Sequence, residues 1–109
     1  MNMLIHSDTF TEDQHLLAGF AAAMAHPARI AIVGMLQNDR EASCGEIVDT
    51  LPLAQATVSQ HLKVLVDAGL LAVRRNGQHT LYKLQCDRIR NFCHSFQCTL
   101  GTQTPEMLS

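Results

Sequence analysis

The sequence predicts a mainly α-helical domain with one small β-hairpin, in the order α-α-α-α-β-β-α. Three observations favour this fold class. Apolar residues recur at helical spacing through most of the chain. A short helical segment and a longer one are separated by only a few residues around Pro52. Two strand-like runs then flank Asn76-Gly77, a dipeptide typical of tight hairpin turns.

The length and composition are those of one small domain. The chain has 109 residues, of which 47% are hydrophobic and 5% aromatic, so aliphatic side chains must form the core. We expect one folded domain at 9–101, between flexible tails at 1–8 and 102–109. The sequence has no apolar run of ~18 residues and no secretory signal at its start, which predicts a cytoplasmic protein whose four cysteines are thiols or ligands.

The first two helices are predicted from capping signals and apolar spacing. Thr9 and Glu12 are three residues apart and fit a capping box, after which apolar residues follow helical spacing to about Ala25. Pro27 suits the first turn of a second helix, because that position needs no backbone N–H. Ile30, Val33 and Leu36 or Gln37 are expected to line the inner face of this helix.

The next two helices form a predicted helix-turn-helix. Ser43 and Glu46 fit a second capping box at the start of a short helix, which Pro52 ends. A longer helix follows over 55–68, and Gly69 suits the position just after its end. Its expected buried stripe consists of Val58, Leu62, Leu65 and Val66.

Residues 70–84 are predicted to form the hairpin, because Asn76 and Gly77 both accept the positive φ that a tight turn requires. Asp87 is expected to cap a final helix. The apolar face of that helix would consist of Ile89, Phe92, Cys93, Phe96 and Leu100. The fold is therefore a winged helix-turn-helix. Because the first and last helices carry more apolar surface than one small domain can cover, we expect a homodimer formed through them.

The polar face of the fourth helix indicates contact with double-stranded DNA. Amides and hydroxyls at the start of such a helix can read base edges in the major groove, while cations on the hairpin can reach phosphates or the minor groove. His61 and Lys63 lie further along and would reach the backbone. The residues expected to contact DNA are Gln55, Ala56, Thr57, Ser59, Gln60, His61, Lys63, Arg74, Arg75, Gln78 and His79.

The charge distribution supports this interpretation although the net charge is −2. Residues 1–54 carry seven acidic and two basic side chains, a net −5, whereas residues 55–109 carry six basic and three acidic, a net +3. The local field attracts phosphate, and the total charge does not. The polar helix face could alternatively be only solvated, and Arg74-Arg75 could be edge-strand charges that prevent aggregation.

Four stretches together resemble the ArsR/SmtB family of bacterial repressors: AHPARI at 25–30, TVSQHLKVL at 57–65, AGLL at 68–71, and RRNG to YKL at 74–84. The resemblance covers roughly residues 12–100. It implies a cytoplasmic homodimer whose first and last helices pack across the two-fold axis. It also implies binding to an imperfect palindromic operator and release when an effector binds.

The effector site does not follow from the resemblance. Family members use a Cys-x-Cys before the recognition helix, an Asp/His/Glu set in the last helix, or a cysteine pair between the second and last helices. This sequence has only Cys44 in the first of these places, and it lacks the other two sets. The weak candidates that remain are Cys93, His94 and Cys98, which could hold zinc or trivalent arsenic at the dimer seam. Cys93 could instead be a core residue.

The sequence leaves two other classes of function to consider. A metal- or thiol-binding protein could use the last helix without binding DNA. An enzyme is disfavoured, because the sequence shows no glycine-rich phosphate loop, no paired carboxylates on one face and no nucleophile with a base beside it.

Overall fold

The computed structural model describes residues 9–102 and shows five helices and a three-stranded sheet within them. The elements in chain order are α1 (Glu12–Met24), α2 (Pro27–Met35), β1 (Ala42–Ser43), α3 (Cys44–Thr50), α4 (Gln55–Asp67), β2 (Leu71–Asn76), β3 (His79–Leu84) and α5 (Cys86–Leu100). The winged helix-turn-helix predicted from the sequence is confirmed. The tail segments 1–8 and 103–109 lie outside the described residues, and Thr102 still donates a hydrogen bond to the carbonyl of Gln97.

Three helix starts can be compared with their predicted caps. The capping box of α1 is formed by Thr11 and Gln14, so the predicted pair Thr9 and Glu12 was wrong by two residues. Glutamine serves as well as glutamate here, because the box needs only a side-chain oxygen that accepts from the N-cap backbone N–H. The box of Ser43 and Glu46 is confirmed at α3.

The start of α5 also differs from its prediction. The helix begins at Cys86, two residues earlier than a cap at Asp87 would allow, and its N-cap Gln85 makes no side-chain capping bond. Asp87 lies in the first turn instead. There its carboxylate pairs with Arg90 and also interacts favourably with the positive end of the helix.

The sheet has the order β1-β3-β2 and is antiparallel throughout. Strand β1 has only two residues and was not predicted, because its identity depends on pairing with Tyr82 and Leu81 of β3 rather than on a local pattern. The hairpin turn lies at Gly77 and Gln78, since Asn76 is still paired with His79. Of Asn76 and Gly77, only Gly77 has a positive φ, at +64°, because Asn76 is the last residue of β2.

The core lies between the helix-turn-helix, the base of the hairpin and α1. Its residues with the least exposure include Ile32 and Leu36 of α2, Ile47 of α3, and Leu70 and Leu71 where β2 begins. Phe20 of α1 stacks on Phe92 of α5 at 4.2 Å between ring centroids, which joins the first and last helices. Of the residues predicted to face inward, Leu36, just after α2, is fully buried, whereas Ile30 is 54% exposed because the inner face of the helix runs through Ile32.

The final helix has no buried residue in the described chain. Ile89, Phe92 and Phe96 are half-buried against the core, whereas Cys93 and Leu100 are exposed. The interpretation of Cys93 as a core residue is therefore wrong for the single chain.

Among residues 9–102 no single helix is long and apolar enough to cross a membrane. Helices α1 and α2 reach that length and apolar content only when taken together, and the chain bends by 91° between them.

The buried underside of α4 gives a stability prediction. Leu62→Ala should lower the free energy of unfolding by about 2–5 kcal/mol, because Leu62 is fully buried and its truncation leaves a cavity. Val64→Ala, on the exposed side of the same helix, should cost about 0.5 kcal/mol or less. Urea denaturation followed by circular dichroism measures both. Equal losses would show that the two faces of α4 are not distinguished by packing.

Candidate nucleic-acid interface

Helix α4 is held by one face and leaves the other exposed. Val58, Leu62 and Leu65 are fully buried, and they recur at the spacing that places them on one side of a helix. Gly69, with φ at +83°, follows the helix and turns the chain toward β2. The underside therefore fixes which α4 side chains can point away from the protein.

The exposed side of α4 carries four polar residues that we call the outward row: Gln55, Thr57, Ser59 and Gln60. Within the described chain, none of their side chains makes a hydrogen bond to another residue. Their donors and acceptors are consequently available to base edges, and amide and hydroxyl groups are suited to that readout. Ala56, also exposed, offers only a methyl group.

The start of α4 has no side-chain cap. Its N-cap residue is Ala54, which leaves the first backbone N–H groups of the helix without a capping oxygen. Such a helix end attracts anions through these N–H groups and through the positive end of the helix dipole. A DNA phosphate is the anion that would lie there when the outward row approaches a groove.

His61 is a correction to the predicted set of DNA contacts. It is only 9% exposed and lies among the apolar residues of the underside. Its Nδ1 is 3.1 Å from Nη1 of Arg29, and its ring centroid is 4.4 Å from that of His26. A side chain buried between α2 and α4 cannot reach a phosphate, so the geometry makes His61 a structural residue.

The two adjacent arginines of β2 point to opposite faces of the sheet, because side chains alternate along a strand. Arg75, which is opposite Thr80 in the register, lies on the same face of the sheet as Leu71. Leu71 packs in the core cluster together with the buried residues of α4. We call this the inner face of the hairpin. Arg75 therefore lies on the side of the sheet that carries α4, and within residues 9–102 its guanidinium has no ion-pair partner.

Arg74 lies on the opposite, outer face and is already engaged. Its guanidinium donates two hydrogen bonds to Glu41, at 2.7 and 2.8 Å. The hydrogen bond from Arg74 lowers the pKa of the Glu41 carboxyl, which keeps that carboxylate charged. A bidentate pair of this kind satisfies the arginine internally, so Arg74 is a weaker candidate for phosphate contact than Arg75.

The remaining predicted contacts are exposed. Lys63 forms an exposed ion pair with Asp67 at 3.1 Å, one turn along α4. An exposed pair of this type is weak and can be exchanged for a phosphate. Gln78 lies in the hairpin turn, and His79 lies on the outer face, where its charge acts on Glu46 of α3.

Sequence reasoning missed Arg29 and His26. His26 is the N-cap of α2, and its Nδ1 accepts from the backbone N–H of Ala28 at 3.0 Å. Arg29 reaches from α2 to both α1 and α4. The signal that could have found this contact is the helical position of His61, three residues after Val58 and four before Leu65, which places a polar residue inside the apolar stripe.

Comparison with known proteins identifies the family. A family model described as a helix-turn-helix domain matches residues 24–74. The nodulation protein NolR of Rhizobium meliloti is 31% identical over 93 residues, which cover 85% of this chain and 75% of NolR. The chain belongs to the ArsR/SmtB family of winged helix-turn-helix transcriptional regulators, and it is a DNA-binding protein.

One further sequence relative and one solved structure are similar to parts of this chain. The transcriptional repressor SmtB of Mycobacterium tuberculosis is 45% identical over 62 residues, 57% of this chain but only 45% of SmtB. The homodimeric DNA-binding domain of Mb0332 from Mycobacterium bovis, described as a possible ArsR-family regulator, has a TM-score of 0.66 at 23% identity and covers 84% of each chain. The second likeness shows the ArsR/SmtB fold alone.

The interface predicts different effects for two substitutions. Gln60→Ala should weaken binding at particular base pairs, because a glutamine amide reads base edges. Arg75→Ala should weaken binding to all duplexes and reduce the slope of log affinity against log salt by about 1 for each subunit on the DNA, and so by about 2 for a dimer. Fluorescence anisotropy on a panel of single-base operator variants, at several salt concentrations, measures both quantities.

Lys83→Ala is the matched control for Arg75→Ala, since it removes one positive charge from the outer face of the same hairpin. Its salt slope should equal that of the wild type. A slope that falls equally for both variants would contradict the assignment of the inner face to DNA.

Proposed function

We propose that this chain is a cytoplasmic transcriptional repressor that binds a two-fold-related operator as a homodimer and leaves it when an effector binds. The observation that carries the proposal is the outward row on α4, four polar side chains without partners in the described chain above a fully buried underside. No catalytic role is proposed, because the family relatives named above are regulators.

The dimer is supported by exposed apolar residues on the first and last helices. Leu16 of α1 is 48% exposed and Leu100 of α5 is 69% exposed. Phe92 and Phe96 are only half-buried although both rings contact Phe20. Apolar surface of this kind is unfavourable in water, and a second copy of the same helix pair would cover it. A symmetric dimer presents two copies of α4, which then read two half-sites about one helical turn apart.

The candidate effector residues lie on α5. His94 and Cys98 share one face of α5 with Nε2 and Sγ 3.6 Å apart, beside a groove that Asp13 of α1 also lines. Within residues 9–102, no three His, Cys, Asp or Glu side chains lie close enough to bind one metal ion. A zinc or trivalent arsenic effector would therefore need at least one more ligand than a single described chain supplies.

The cysteines differ in their suitability for a thiol-based signal. Cys93 and Cys98 are exposed, whereas Cys44 and Cys86 are half-buried. Burial raises the pKa of the Cys44 thiol, which reduces the reactive thiolate at neutral pH. A thiol-reactive effector would consequently act first on α5. A metal- or thiol-binding protein that has no DNA target is the less supported alternative, because it leaves the outward row without a role.

The DNA-binding proposal is tested by selection from a random duplex library. Wild-type protein should enrich a sequence with two inverted half-sites whose centres are about 10 base pairs apart. The selected duplex should then shift in a native gel, and binding should weaken steeply as salt increases. Failure to enrich any sequence, together with no shift at low salt, would contradict the proposal.

The dimer is tested by sedimentation. The wild-type chain should sediment at twice its monomer mass of 12.0 kDa. Leu16→Glu, which places a charge on the proposed seam, should yield a monomer at micromolar concentration. Ile30→Glu is the matched control, because Ile30 is similarly exposed but lies on α2, so this variant should remain a dimer. Dissociation of both variants or of neither would contradict a seam at α1 and α5.

A further inference from the structure

Arg29 connects three helices through one guanidinium. Its Nε donates to the carbonyl of Ala23 at 2.6 Å, and its Nη2 lies 3.5 Å from the carbonyl of Ala22. Both carbonyls belong to the last turn of α1, where carbonyls are short of intrahelical partners and attract cations. The Ala22 carbonyl also accepts from the backbone N–H of Ala25, so the Ala23 carbonyl is the main acceptor for Arg29. The third nitrogen, Nη1, is 3.1 Å from Nδ1 of His61 on α4.

The direction of the Arg29–His61 hydrogen bond fixes the charge state of the histidine. A guanidinium has only donors, so Nδ1 of His61 must accept, and its single proton must be on Nε2. A protonated imidazole carries N–H groups on both nitrogens and cannot accept. Protonation of His61 would therefore replace a hydrogen bond with two N–H groups, and two positive charges, facing each other at 3.1 Å.

We infer that Arg29 is a positioning residue for DNA binding: through His61 it holds the recognition helix α4 against the end of α1, and protonation of His61 breaks this link and weakens DNA binding. The inference rests on the proposed function. His61 directly follows Gln60 of the outward row, so the contact that fixes His61 fixes the part of α4 that would enter the groove.

The surroundings of His61 favour the neutral form. The titratable and charged groups that act on it are His26 and Arg29, both from α2, while α1 contributes the carbonyls that Arg29 binds, and α3 and β2 contribute no charge. Burial lowers the pKa of His61 below its usual range, and the charges of His26 and Arg29 lower it further. The link is thus complete above the ordinary histidine pKa and is lost as pH falls through the lowered value.

The test compares variants on the duplex obtained by selection, with affinity measured by anisotropy from pH 7.5 to about pH 4.5, because His61 titrates below the ordinary histidine pKa. Arg29→Met keeps the aliphatic stem but removes every donor, and we expect about tenfold weaker binding at pH 7.5. His61→Gln keeps an acceptor for Arg29 but cannot be protonated, so it should bind nearly as wild type does at pH 7.5. Below pH 6.5 the wild type should lose affinity relative to His61→Gln, by up to about tenfold for each further pH unit once His61 of the free protein is protonated.

His79→Gln is the control for direct effects of protonation at the DNA. His79 lies on the exposed hairpin, so this variant should keep the loss on acidification that distinguishes the wild type from His61→Gln. Circular dichroism at each pH confirms that the variants compared are folded. If Arg29→Met is not folded, the comparison of wild type with His61→Gln decides the inference.

Two results would overturn the inference. One is a folded Arg29→Met that binds as tightly as the wild type at pH 7.5. The other is the same pH dependence for His61→Gln and the wild type. Both presuppose that the wild type binds the duplex at pH 7.5, whereas failure of the wild type to bind any duplex would contradict the proposed function itself.

Discussion

The burial of one face of α4 is the constraint on which the site depends. Val58, Leu62 and Leu65 are fully inside the core, and burying each such side chain contributes roughly 1.5–3 kcal/mol. Because a helix has a fixed rotation per residue, anchoring this face also fixes the directions of Ser59 and Gln60. The absence of a side-chain cap at Ala54 lowers the stability of the helix. It leaves backbone N–H groups without a capping side chain at the end of α4 that would approach a phosphate.

Electrostatics explain how a chain of net charge −2 can present a basic surface to DNA. Arg74 is neutralised by Glu41, and Arg90 by Asp87, so these cations add little field at long range. Arg75, on the inner face of the hairpin, has no ion-pair partner within the described residues. The ion pair of Lys63 with Asp67 is exposed, so a phosphate can replace Asp67. Each subunit thus offers few phosphate contacts, and a dimer doubles them without requiring a basic protein overall.

Local patterns in the sequence were sufficient for the helices, the hairpin and the outward row. Capping residues, an apolar stripe and a glycine after the helix act within a few residues, so they can be recognised from the sequence alone. Strand β1 could not be recognised in this way, because a strand of two residues shows no alternating pattern and forms only by pairing with β3. The cap of α1 was ambiguous for another reason: Thr9 and Thr11 each precede a suitable partner by three residues.

The structure corrects His61 and separates Arg74 from Arg75 for a common physical reason. His61 was assigned to the DNA side by residue type, although its place in the helical period puts it on the underside. Arg74 and Arg75 were assigned together by adjacency, although neighbouring residues of a strand face opposite ways. Position in the period was the stronger evidence in both cases. What no pattern contained was the partner of each side chain, because Glu41 and Arg29 lie more than thirty residues away from Arg74 and His61.

Helix α1 is the element through which the last helix and the recognition helix meet. Along its length Phe20 stacks on Phe92 of α5, and at its end Arg29 joins its carbonyls to His61 of α4. Continuity of packed groups is necessary for coupling between α5 and α4 but is not sufficient, since α1 must also have two positions that an effector distinguishes. A ligand on α5 would therefore have to bind one position of α1 more tightly than the other, and the Arg29–His61 contact is the point at which that difference would reach the DNA-binding surface.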